Sequence, residues 1–211
     1  MNHPIPINLA TEDLLSEAVL RKMVNHTRRP FNIGFCYCRG GIAYLKRTIP
    51  GFNRAAKGIP FLVLIDLDKA ECAPAKLREY LPSTKHHNLL LRVAVKEVES
   101  WLLADKVNFA KFLGISKDII PATVEGIVNP KEVLINLAKH SRKRILREDI
   151  IPLTGSTAKI GPNYNGCLIY FVNDLWDISN AMQSSPSLSR TMKVLQHFEP
   201  IWETPRNEAL K

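Results

Sequence analysis

Acidic residues are scarce in this chain: its 211 residues carry 20 Asp and Glu against 29 Lys and Arg, a formal net charge of +9. Long apolar runs are missing too. Nothing approaches the roughly 18 consecutive apolar residues of a membrane-spanning helix, so no membrane association is expected. The first residues, MNHPIPINLATED, have no basic segment leading into an apolar one. No secretory signal is read there, and a soluble, cytoplasmic protein is expected. Cysteine is sparse, and in such a compartment Cys36, Cys38, Cys72 and Cys167 are not expected to form disulfides. Cys36-Tyr37-Cys38 lacks a second close pair or a His-x-x-x-His set to complete a zinc site. These two thiols are read as small core residues sharing one face of a strand. There is no Gly-x-x-x-x-Gly-Lys-Ser/Thr loop, so any ATP-driven step must come from a separate ATPase. Internal repeats and low-complexity tracts are also missing.

What is present is ordinary globular material, 45% hydrophobic and 23% charged, which excludes a disordered or fibrous chain. Residues 4–10 read as a buried strand, with Thr11 as the N-cap of a helix in which Leu14, Leu15, Ala18, Val19 and Met23 recur at helical spacing. A second apolar run, 31–38, stops at Gly40-Gly41, and Ile42, Leu45, Ile49 and Phe52 follow at helical spacing, broken by Pro50. Residues 61–65 are five unbroken apolar residues, the pattern of a central strand covered on both faces. A short helix over 73–81, a strand over 89–95 and a helix over 98–113 complete four βα units. These imply an α/β fold with a doubly wound, mostly parallel four-stranded sheet. Beyond Gly114 the pattern predicts helices over 116–128, 130–147 and 188–198, with a loop over 148–165 and a polar, frayed tail. Tyr170, Phe171 and Trp176 are read as core. Residues 114–211 are therefore expected to form a mostly helical extension packed on a core of residues 1–113.

In open α/β sheets, function collects at the carboxyl ends of the strands. Acids are concentrated there despite their overall scarcity: Glu12 and Asp13 after the first strand, Asp66 and Asp68 after the third, Glu97 and Glu99 after the fourth. Carboxylates gathered at one edge repel unless a cation holds them, and hard oxygen ligands suit Mg²⁺ or Mn²⁺. Residues i and i+2 of a strand share a face, so Asp66 and Asp68 are expected to point the same way. Such a group could hold one ion, or two about 3.5–4 Å apart for phosphodiester displacement. The structural alternative is capping, which alone would account for Asp13 and Glu97.

The succession strand–Glu12–helix, strand–Gly40-Gly41–helix, strand–Asp66-Leu67-Asp68 resembles a TOPRIM domain, the topoisomerase–primase metal fold. Residues 92–105 (RVAVKEVESWLLAD) and Asn129-Pro130-Lys131 further resemble a bacterial TOPRIM-like family of undefined function. More distantly, they resemble the nuclease half of overcoming-lysogenization-defect (OLD) proteins. The TOPRIM likeness covers residues 5–113, and the family likeness extends weakly to about 195. The resemblance implies divalent metal binding by Glu12, Asp66 and Asp68, with Glu99 as a further catalytic acid, and hydrolysis of DNA or RNA. It also implies work alongside a separate ATPase in antiviral (anti-phage) defence. Where TOPRIM domains commonly carry Glu-Gly, this chain has Glu12-Asp13, so either Glu12 alone or both acids would face a metal. Lys131 and Lys159 are the candidates for a cation at the scissile phosphate, each weighed against an ordinary solvated lysine.

The positive charge is also sorted. From Ala18 to Ile65 there is no acid in 48 residues, but nine cations, among them Arg39, Lys46 and Arg47. A second cluster, residues 139–147, holds Lys139, Arg142, Lys143, Arg144 and Arg147, with Lys139, Lys143 and Arg147 spaced by four as a stripe on one helix. Such stripes grip phosphate backbones without reading sequence; a solvated face is the alternative. Three readings follow: a Mg²⁺- or Mn²⁺-dependent nuclease; a non-catalytic TOPRIM scaffold that binds nucleic acid or a partner ATPase; and a small-molecule phosphotransferase. The oligomeric state is left open, a homodimer included.

Overall fold

The computed structural model describes residues 3–38 and 40–202; Arg39 and residues 203–211, most of the expected tail, lie outside the described residues. Four strands, β1 (Ile5–Ala10), β2 (Phe31–Tyr37), β3 (Phe61–Asp66) and β4 (Leu89–Ala94), form one sheet in the order β2-β1-β3-β4. Every pairing is parallel. The carboxyl ends of all four strands therefore lie along a single edge of the sheet. The fold is the expected α/β class, with an all-parallel sheet and a C-terminal helical part.

Covering of both faces follows from the alternation along β3. Leu62 and Leu64 join one apolar cluster with Leu15, Val19 and Met23 of α1 (Leu14–His26). Phe61, Val63 and Ile65 join the other, with Leu45, Ile49 and Phe52 of α2 (Gly41–Ala55) and Tyr80 of α3 (Ala73–Tyr80). Pro50 does not break α2. It removes one N–H from the ladder, but the buried residues on either side of it hold the helix together. At α1 the N-cap is Asp13, not Thr11: Asp13 Oδ1 accepts from Ser16 N at 2.8 Å, while the Thr11 hydroxyl donates to the Asp13 carbonyl. Leu14 and Ile42, expected as core, are exposed.

The helix expected over 98–113 is two helices, α4 (Val98–Ala104) and α5 (Lys106–Leu113). Buried Asp105 divides them, accepting from Asn108 within α5 and from the distant Asp177 N–H at 2.8 Å. Residues 116–128 contain only single 3-10 turns, Lys117–Ile119 and Val124–Gly126. The helix expected over 130–147 is also broken, into α6 (Pro130–Lys139) and α7 (Arg144–Ile150). Ser141, buried at the break, donates to the Leu113 carbonyl at 2.5 Å and accepts from Lys143 N. Beyond it lie α8 (Tyr164–Tyr170), a π turn (Phe171–Leu175), α9 (Ile178–Ser184) and α10 (Pro186–Gln196). Phe171 and Trp176 are buried as expected, but Tyr170 is exposed.

These helices share the core of the sheet. The larger cluster runs without interruption from Ile5 of β1 to Leu188, Met192 and Leu195 of α10. At its centre is fully buried Trp101, whose indole N–H donates to Ser187 Oγ at 2.7 Å; its carbonyl accepts from the Trp176 indole. Among the described residues, no helix is long and apolar enough to cross a membrane.

Candidate functional site

The parallel sheet delivers Glu12, Asp66 and Asp68 to one edge, where Glu97 and Glu99 arrive from the start of α4. Their environments separate their roles. Glu12 is half-buried, and its Oε1 is a buried oxygen with no hydrogen-bond partner. Burial, followed by the negative charge of Asp68, pushes the Glu12 carboxyl up to about 7. Asp66 is held well above the usual carboxylate range, first by burial and then by the charges of Glu99, Glu12, Asp13 and Asp68. One carboxyl thus feels the charges of four other acids of the edge.

The partners of these acids are specific. Asp66 Oδ1 accepts from the Val98 N–H at 3.1 Å, at the N-terminus of α4. Asp68 lies beyond the end of β3 in the left-handed region, φ 51°, so strand alternation does not orient it and it does not share a strand face with Asp66 as expected. It meets Lys76 instead: Nζ lies 3.0 Å from Asp68 Oδ2, and the lysine side chain is only 8% exposed. The same ammonium lies 5.4 Å from the centroid of the Tyr80 ring. Asp13 caps α1, the role given by the structural alternative. Glu97 also caps, though not its own helix: its Oε2 accepts from the Lys131 N–H at 3.0 Å, in the first turn of α6.

Glu99 is buried beside Asp66, and its Oε1 accepts from the Tyr164 hydroxyl at 3.0 Å. Lys131 Nζ stands 3.4 Å from the same oxygen. Burial works against the charge on Lys131, but Glu99, Glu97 and Asp66 outweigh it and raise its pKa. This lysine is therefore a member of the acidic cluster rather than a solvated surface group. Lys159 is exposed on the irregular segment that follows α7. Among the described residues, no group of three or more His, Cys, Asp or Glu side chains is arranged to hold a metal ion.

Two members of the site are not identified by the sequence reading. Lys76 has no signal beyond its place on a short helix. Tyr164 lies in the stretch 148–165, which reads as a loop, and only folding brings its hydroxyl to Glu99. The basic candidates divide. Lys46 pairs with Glu79 at 2.7 Å, and Arg47 lies over the Tyr44 ring. The stripe of Lys139, Lys143 and Arg147 does not exist, because the helix breaks at Ser141. Lys139 donates to Asn136, Lys143 to the Lys111 carbonyl and Arg147 to the Ser141 carbonyl, while Arg142 lies exposed in the break.

The thiols of Cys36 and Cys38 both donate toward Glu17, and Cys36 packs against the larger apolar cluster. Burial, then the Glu17 charge, raises the Cys36 thiol to about 12, which keeps it protonated and unreactive. No family model, curated protein or solved structure matches this chain.

Proposed function

We propose that this protein is a divalent-metal-dependent nuclease whose metal ligands are Glu12, Asp66 and Asp68. The observation that carries the reading is the buried, unpartnered Oε1 of Glu12, in a carboxyl near enough to Asp66 and Asp68 for their charges to act on one another. An unpartnered carboxylate oxygen is costly to bury, and a hard cation is the partner it lacks. Mg²⁺ or Mn²⁺ held there would activate water and stabilise the charge developing on a phosphodiester. Lys131 supplies a fixed positive charge for a phosphate oxygen. Glu99, read from the sequence as a ligand or base, is assigned the positioning of Lys131, because Tyr164 and Lys131 already engage its Oε1. The family resemblance adds a setting, antiviral defence in company with a separate ATPase.

The trial is incubation of plasmid DNA, single-stranded DNA and tRNA with Mg²⁺ or Mn²⁺. Wild-type protein is expected to cut at least one substrate, and Asp66→Ala and Asp68→Ala to abolish the cut. Equal cutting by these variants overturns the assignment. The scaffold reading draws on a different observation: Asp68 is already paired with Lys76, and Asp66 with a backbone amide. Binding of nucleic acid without cleavage under any metal condition, with or without an ATPase, would favour it. Activity that appears only with an added ATPase would favour a complex.

A further inference from the structure

β2 is an edge strand, and its pairing with β1 is irregular. Ile7 lies opposite Ile33 but Leu9 lies opposite Cys36, so one extra residue of β2 is accommodated between them. This is a β-bulge at Gly34-Phe35. The side-chain directions agree: Ile33 and Cys36, three apart, both pack against the larger apolar cluster, which an unbroken strand would not allow. The bulge is built rather than incidental. Buried Asn8 accepts from the Phe35 N–H through Oδ1 at 2.9 Å. A Cβ at position 34 would stand 2.6 Å from that oxygen, so only glycine fits there without a shift.

The product of the bulge is an outward-facing aromatic. Phe35 is 74% exposed, the most exposed large aromatic among the described residues. Its ring lies 6.5 Å from Tyr37, which is braced in turn by Phe52 at 5.0 Å. Phe52 belongs to α2, and the exposed side of that helix carries Arg47 and Arg54. The surface is also close to the acidic cluster. The Tyr37 carbonyl accepts from Thr11 N, next to Glu12, and Phe35 lies two residues earlier on the strand. At about 3.3 Å per residue, that puts the ring within about 10 Å of the strand end.

We propose that Phe35, backed by Tyr37, is a base-stacking platform for a single-stranded polynucleotide lying across the β2 edge toward the acidic cluster. Stacking on an aromatic face is indifferent to sequence but needs an unpaired base. The basic, acid-free stretch 18–65, which contains both β2 and α2, matches a polyanion and repels a second copy of itself. The bulge also spoils the edge as a template for strand-to-strand pairing. The proposal rests on the nuclease reading only in making this polymer the substrate.

The test is binding of fluorescent single-stranded and duplex oligonucleotides in EDTA, where metal-dependent cleavage cannot intervene. Phe35→Ala, at an exposed side chain, is expected to weaken single-strand binding about 5- to 100-fold. Phe35→Leu should behave like Phe35→Ala, and Phe35→Trp should restore binding. Duplex binding should change little. Unchanged single-strand binding by Phe35→Ala, or equal losses on single strand and duplex, overturns the platform. A wild-type dimer that Phe35→Ala converts to monomer also overturns it, by showing that a second copy covers this edge. Binding through Phe35 with no cleavage in any metal, with or without an ATPase, refutes the nuclease reading and leaves the platform standing.

Discussion

The carboxylates at the strand ends are alike in type and differ in what surrounds them. Glu12 has a bare oxygen, Asp66 a backbone amide, Asp68 a buried lysine, and Glu99 a phenol and a second lysine. For Glu12 this has a consequence for stability. Its carboxyl is raised from an ordinary 4.5 to about 7, so the folded state holds the proton more tightly than the unfolded state between these values. The contribution is fully present below pH 4.5 and is lost as the pH rises through about 7. Glu12→Gln, which cannot ionise, should therefore be more stable than wild type at pH 8 by about 2 kcal/mol, a figure discounted for partial exposure. Urea unfolding in EDTA at pH 8 and pH 4.5 checks this. The advantage should shrink at the lower pH, and an equal difference at both would remove Glu12 as the source.

At the scale of elements, local pattern and tertiary contacts divide the outcome. The five apolar residues of β3 suffice to mark a strand covered on both faces, because each face of a central parallel strand must meet a helix layer. The broken helices are different. Asp105 and Ser141 sit in patterns that continue through them, and each ends its helix by bonding to backbone far away in sequence, Asp177 and Leu113. The bulge in β2 is likewise invisible to a periodicity argument, since Asn8 and Gly34 meet only once β1 and β2 pair. Gly34→Ala should displace Asn8 Oδ1 and cost about 1–3 kcal/mol by stranding the Phe35 N–H. Chemical denaturation measures that loss. A change smaller than about 0.5 kcal/mol would mean that the bulge accommodates a Cβ.

Over the whole molecule, the helical extension is part of the core rather than an attachment to it. Trp101 reaches Ser187, and Ser185 and Ser187 both hydrogen-bond to Glu125 Oε1. A fragment ending at residue 113 would expose the Trp101 face of α4 and deprive Glu99 of both Tyr164 and Lys131. It should fail to give dispersed amide resonances, whereas the intact chain should unfold in one cooperative transition. A folded, monomeric fragment would show that the sheet supports itself. Such a dependence also explains how the site is divided between sequence and structure. The α/β class, the covered central strand and the placing of acids after the strands are legible in the chain, because they follow from local patterns of period two and 3.6. Folding alone settles which acid has a bare oxygen, which lysines enter the cluster, and that the basic stripe of residues 139–147 does not form. Those outcomes depend on contacts between residues far apart in the chain, such as Tyr164 with Glu99, which no local spacing encodes.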